Sequence, residues 1–407
     1  MTADSGQPTR EQPAGARPAR RSRRRLALTA GAAAAGLIVA GVPVTTMALT
    51  GHPAAGHPAA RPVNTPEHRF TFRVGKGTFV KNTKGSASKN AASPAAGADF
   101  HAYVAVAGGG FVQEMDTSSD TILSTKYSAD TPEGVAVTPD SSQVFVAETG
   151  QYHVIAVNTA TGAKTPIEVG PYPQDVAMSP DGKQVYATVT GGDTGPGGSD
   201  IVAVISVATD SVVGDIHVGS GPRQVAFSPD GSRAYVSTEK GIAVISTAAG
   251  KVVRLIPDSS GPQGLAVSPD GKTVYVTNPG AGTVWAVNAA TGRVLASVKA
   301  GAEPYSVAVT PDGSALYVAD LNADSVAVIS TATGRVTASI AVGRLPASVA
   351  ITPDGSQVWV ANVASGNVTV INPATNTVSG TISGGTGTAT LNAAPLGISF
   401  VPVPAAP

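Results

Sequence analysis

Ser306-Val307-Ala308-Val309-Thr310-Pro311-Asp312-Gly313-Ser314-Ala315-Leu316-Tyr317-Val318-Ala319-Asp320 holds two short β-type runs on either side of a tight turn. Proline presets φ at the first central position of such a turn, Asp bonds back to the backbone, and Gly accepts positive φ. The turn recurs, with its proline at Pro139, Pro180, Pro229, Pro269, Pro311 and Pro353, spaced by 41, 49, 40, 42 and 42 residues. The first copy has Ser141 in place of the Gly. A second proline stands seven residues upstream of each, at Pro132, Pro173, Pro222, Pro262, Pro304 and Pro346. The pair returns once more as Pro395 and Pro402. Seven copies at a period near 40 imply a closed ring, because one small sheet cannot bury its own faces alone.

Residues 304–346 define the unit. The runs Ser306–Val309, Ala315–Ala319, Ser325–Ile329 and Val336–Val342 are rich in β-branched residues and bounded by turn signals. Four antiparallel strands in about 40 residues make one blade of a β-propeller. A helical solenoid is excluded, since no repeat carries a 3.6-residue apolar periodicity. The fold class is therefore all-β, a seven-bladed β-propeller. Closure follows from the ends. The last copy, Pro395–Pro402, supplies a first strand only, whereas Tyr103–Val106, Phe111–Met115 and Ile122–Tyr127 fill the second, third and fourth places. The N-terminal strands and the C-terminal strand are expected to share the last blade and leave no open edge.

The segment Val274-Tyr275-Val276-Thr277-Asn278 lies between Ser268-Pro269-Asp270-Gly271-Lys272 and Ala290-Thr291-Gly292-Arg293-Val294. On these residues the chain resembles the YVTN-repeat β-propeller family of bacterial and archaeal extracytoplasmic and surface-layer proteins. The resemblance covers residues 100–402 and is strongest in the repeats carrying Asn278, Asp320 and Asn362. It implies the propeller fold but no single function, because propellers host enzymes and binding scaffolds alike.

Charge divides the chain. Residues 1–99 hold 14 Lys+Arg against 4 Asp+Glu, and residues 100–407 hold 13 against 23. Arg17, Arg20, Arg21, Arg23, Arg24 and Arg25 precede an apolar run from Leu26 to Leu49, the layout of an export signal or membrane anchor over 1–49. Ser22-Arg23-Arg24-Arg25-Leu26-Ala27 resembles a twin-arginine signal. Residues 50–99 are a low-complexity basic linker, with Gly51-His52-Pro53-Ala54-Ala55 repeated as Gly56-His57-Pro58-Ala59-Ala60. The expected location is extracytoplasmic, secreted or anchored, with membrane contact only through the N-terminal segment. The propeller at 100–407 is expected to be a monomer. Zero cysteines exclude a disulfide framework and thiol chemistry.

The blade-to-blade loops and the loops between second and third strands share one face, and both long insertions, Gly191–Asp200 and Ser383–Ala394, lie on it. Binding is expected there, at the mouth of the central channel. Of the positions the repeat places at that mouth, Glu133, Asp175, Arg223, Gln224 and Tyr305 break the pattern, so the blade does not require them. With Glu148 and Asp320, at second-strand ends, they form the candidate ligand-binding set. The recurring Asp140, Asp181, Asp230, Asp270, Asp312 and Asp354 read as turn formers.

No two of the six histidines are spaced i, i+4, and three of them, His52, His57 and His68, lie in the linker, which argues against zinc; no cofactor motif is present. These features favour a non-catalytic binding scaffold for a surface protein, a glycan or a small molecule. The alternative is a metal-dependent lactonase-like or lyase-like propeller enzyme. The acidic propeller disfavours nucleic acid.

Overall fold

The computed structural model describes residues 100–128, 131–191, 200–383 and 395–402. Its strands form seven four-stranded sheets, all pairings antiparallel. In the 304–341 blade they are Pro304–Val309, Ala315–Asp320, Ser325–Ser330 and Arg335–Ala341. The first begins at Pro304, two residues before the expected start, through a register shift between Pro304 and Ser306. The only non-strand elements described are two single 3₁₀ turns, Ala107–Gly109 and Pro279–Ala281. No helix among the described residues is long and apolar enough to cross a membrane. The segments expected at 1–49 and 50–99, and most of both insertions, lie outside the described residues.

We number the blades in chain order: blade 1 is 132–168, blade 2 is 173–217, blade 3 is 225–257, blade 4 is 265–299, blade 5 is 304–341 and blade 6 is 346–383. Blade 7 has the strand order Pro395–Pro402, Phe100–Val106, Phe111–Asp116, Thr121–Ser128. The C-terminal strand is thus the innermost strand of a sheet otherwise made at the start of the propeller. It packs between the innermost strands of blades 6 and 1, and the ring closes.

The repeated aromatic and proline residues sit at blade boundaries. There are seven apolar clusters, one between every pair of neighbouring blades. A large aromatic in each second strand (third in most, Tyr103 fourth and Trp359 second) fills such a seam: Tyr103, Phe145, Tyr186, Tyr235, Tyr275, Tyr317 and Trp359, all buried. The turn prolines meet the next blade. Pro311 lies against Gly355, which has φ +72° and would bring a Cβ 3.2 Å from the Pro311 ring. The turn aspartates behave as turn formers. Asp312 Oδ1 accepts from Thr310 Oγ1 at 2.5 Å and Ser314 N at 3.0 Å, and those donors hold its carboxyl below the usual range.

Candidate functional site

The innermost strands converge on the axis with little side chain between them. Gly134 shows how close they come: a Cβ there would sit 2.7 Å from Asp175 Cα in the next blade. Where the strands begin, they diverge into a cavity of about 260 Å³ to which all seven blades contribute. Glu133, Gln174, Asp175, Arg223, Gln263 and Tyr305 give it a polar wall, and Ala347, Val349 and Ile398 an apolar one.

The sequence-based set divides at this point. Glu133, Asp175, Arg223, Gln224 and Tyr305 are brought together around the cavity. Glu148 and Asp320 are not among its lining residues; both are buried, at 4% and 1% exposure. Asp320 Oδ2 accepts from Ala302 N at 2.6 Å and its Oδ1 from Glu303 N at 2.9 Å, so it holds the loop entering its own blade. A last residue of the second strand faces back along its blade, which its place in the repeat does not reveal.

Asp175 and Gln224 also prove structural. Asp175 Oδ2 accepts from Val225 N at 3.1 Å, Gln224 Oε1 from Leu265 N at 2.6 Å, and Ser306 Oγ from Val349 N at 3.2 Å. Each side chain caps an inner-strand amide of the following blade, one that no sheet partner satisfies. The expectation that the blade does not require Asp175 and Gln224 is corrected accordingly. A second set of stitches escaped the sequence reading. Thr188, Ser237 and Thr277 each accept from an inner-strand N–H of their own blade. They donate to the next blade at Arg223 O, Gln263 O and Tyr305 O, at 2.6–2.8 Å. The Tyr-Val-Thr-Asn segment is thereby explained: Tyr275 and Val276 fill seams, Thr277 stitches blades, and Asn278, its amide turned, donates to Asp258 Oδ2 at 2.7 Å.

The polar ends of six lining side chains, Glu133, Gln174, Arg223, Gln263, Tyr305 and Ser348, are not committed to the ring in this way. Arg223 Nη1 donates to Gln263 Oε1. Burial pushes the Glu133 carboxyl up to about 7; a Thr149 hydrogen bond pulls the other way and the Asp175 charge adds to the rise. Asp175 also rises to about 7 through burial, against the pull of the Val225 and Val176 amides. Burial, then the Glu133 charge, pushes the Tyr305 phenol up, and Arg223 opposes. An acid, a cation and a phenol thus feel one another across a small cavity. Perturbed groups in a cleft are the usual mark of a functional site. Among the described residues no group of three or more His, Cys, Asp or Glu is placed to hold a metal ion.

The same carboxyls make stability depend on pH. Glu133, Asp175 and Asp120 (about 6, chiefly through burial, with Oδ1 lacking a partner) all titrate above their ordinary values. Between about pH 4 and 7 the folded chain therefore holds protons that the unfolded chain has lost, so stability falls as pH rises through that window. The melting temperature is expected to be several degrees higher at pH 5 than at pH 8. Glu133→Gln with Asp175→Asn should flatten most of that slope. A melting temperature that rises toward pH 8 would contradict this.

The family model described as lactonase, 7-bladed beta-propeller, matches residues 198–337 and 255–386. The likeness is to lactonase-type propellers. The matched span runs from blade 2 into blade 6 and excludes Glu133 and Asp175. No curated protein matches the chain. Among solved structures, hydrazine synthase of Kuenenia stuttgartiensis is similar at 26% identity and a TM-score of 0.59, over 65% of this chain and 90% of that one. A Bacteroides fragilis protein provisionally described as a 6-phosphogluconolactonase is similar at 20% identity and 0.59, over 75% and 98%. A Desulfotomaculum acetoxidans protein of unknown function gives 16% and 0.61, over 74% and 98%. The last two likenesses, below 25% identity, speak to the fold alone.

Proposed function

We propose that the channel mouth hydrolyses a small hydroxylated lactone, with Glu133 as general base. The observation that carries this reading is a carboxyl poised near neutral pH beside Arg223 and Tyr305 in a small cavity. The match of a lactonase family model supports it. A base must take a proton at working pH, and a group titrating near 7 does so with useful driving force.

In this mechanism Glu133 removes a proton from water as the water oxygen bonds to the lactone carbonyl carbon. Arg223, Gln263 and Tyr305 are the donors available to the developing oxyanion. The ring acyl–oxygen bond then breaks, its electron pair stays on the ring oxygen, and Glu133 returns the proton there. The product is a hydroxy acid, which ionises and releases one proton to solvent. Asp175, whose carboxylate caps Val225, positions the inner strand and raises the Glu133 carboxyl through its charge.

The Tyr-Val-Thr-Asn pattern supports placing the chain with the YVTN-repeat propellers, and the Arg-rich, apolar N-terminus supports export, which would put this chemistry outside the cytoplasm. Acid release from gluconolactone by the full chain tests the reading. The expected rate rises with pH through about 7, and Glu133→Gln lowers it by roughly 100-fold or more. Binding without turnover would return the mouth to a non-catalytic binding scaffold.

A further inference from the structure

The cations around the channel mouth are few, and their number limits what the site can hold. Residues 100–407 contain 13 Lys+Arg, and among the described residues Arg223 is the one that lines the cavity. Of the others, Lys183 and Lys272 pair with Asp181 and Asp270 at the turns, Arg254 donates to Ala290 O and Lys299 to Ala281 O, while Lys240 and Arg344 lie in exposed loops of the mouth face, outside the cavity lining. The two insertions add none, since residues 191–200 and 383–394 contain no Lys, Arg or His. Arg223 itself already donates to Gln263.

Two carboxyls, Glu133 and Asp175, share the lining with this guanidinium, and Glu303 adds negative charge near Tyr305. A phosphate monoester carries a charge of about −1.5 to −2 at pH 7. Its binding sites supply several charge-assisted donors, because each desolvated oxygen left without one costs free energy. Here one cation would have to offset both the dianion and the two neighbouring carboxyls. A single carboxylate is a better match, since a guanidinium accommodates it with two parallel hydrogen bonds. The remaining polar lining, Gln174, Gln263, Tyr305 and Ser348, suits hydroxyl groups, and Ala347, Val349 and Ile398 leave an uncharged wall. A cavity of about 260 Å³ is below the usual range for drug-sized ligands, which fits a single sugar-sized ring.

Resting on the hydrolase reading above, we propose that this site takes unphosphorylated lactones, neutral or bearing one carboxylate, and excludes phosphorylated ones. Arg223 holds the substrate carboxylate or, for a neutral substrate, the carboxylate that ring opening creates. This would set the chain apart from the phosphorylated sugar lactone named for the Bacteroides fragilis structure.

Two measurements on the full chain separate this proposal from the reading beneath it. The first compares kcat/KM for gluconolactone, glucarolactone and 6-phosphogluconolactone. The second measures by calorimetry the affinity of gluconate and of 6-phosphogluconate, which needs no turnover. The expected result is a preference of about tenfold or more for the unphosphorylated partner in both, one charge-assisted hydrogen bond being worth roughly that factor. Arg223→Gln, still folded by its melting curve, should weaken gluconate by about tenfold or more. Equal or better use of the phosphorylated compounds overturns the proposal, as does an Arg223→Gln variant that binds gluconate unchanged. Failure of gluconate to bind at all also overturns it. Selective gluconate binding with no turnover of any lactone would sink the hydrolase reading and uphold the charge selectivity.

Discussion

A chain ended after Ala394 should not fold. It would lack the strand Pro395–Pro402, which pairs with Phe100–Val106 from Phe100↔Pro402 to Val106↔Pro395. Two losses follow together. Residues 100–106 would face an unpaired inner edge, with their backbone groups exposed to the channel. The seam between blades 6 and 7 would lose Ile398 and Phe400, the latter set edge-on to the buried Trp359 at 5.7 Å between ring centroids. Emptying a seam costs a few kcal/mol per large side chain, and whole-domain stability is only about 5–15 kcal/mol. The truncated chain is therefore expected to show no cooperative melting transition. A monomeric product with a native-like melting curve would contradict the described closure.

The second large effect concerns Asp320, which the sequence presents as a ligand candidate. Asp320→Ala is expected to destabilise the fold by roughly 3 kcal/mol and to leave ligand affinity at the mouth unchanged. The carboxylate accepts from Ala302 N and Glu303 N, and truncation leaves both amides unsatisfied. Each such loss costs about 1–3 kcal/mol. The neighbouring Gly301 reports the same fit from the other side. It has φ +149°, and a Cβ there would lie 1.5 Å from Asp320 Oδ2, so Gly301→Ala should carry a comparable cost. Denaturant unfolding measures both variants. A stable Asp320→Ala protein with weakened ligand binding would reverse the assignment.

The fold was legible because its punctuation is repeated. Pro311-Asp312-Gly313 and its copies mark where strands end, and the split last repeat at Pro395 shows how the ring closes. The site was legible only in part. Departures from the repeat pointed to Glu133, Asp175, Arg223, Gln224 and Tyr305, all five of which line the cavity. It did not reveal that Asp175 and Gln224 also serve the ring, because a stitch between blades can be made by several residue types. Asp175, Gln224 and Ser306 all cap an amide of the next blade, whereas at Gly134, Gly264 and Gly397 the neighbouring backbone comes too close for a side chain. A break in the pattern therefore does not by itself mean freedom from the blade. Thr188, Ser237 and Thr277 were hidden for a related reason: in sequence a hydroxyl on a strand looks like ordinary β-propensity. The pairing of Arg223 with Gln263 spans two blades, and no local window of sequence contains it.

We propose that function resides where the inner strands of all seven blades open into one small cavity. A crystal structure of the protein with saturating gluconate tests it most directly. The ligand is expected at the channel mouth, its carboxylate on Arg223 and its hydroxyl groups within hydrogen-bond reach of Glu133 and Tyr305. A ligand bound on the opposite face or outer rim of the propeller, with the mouth holding only water, would contradict it.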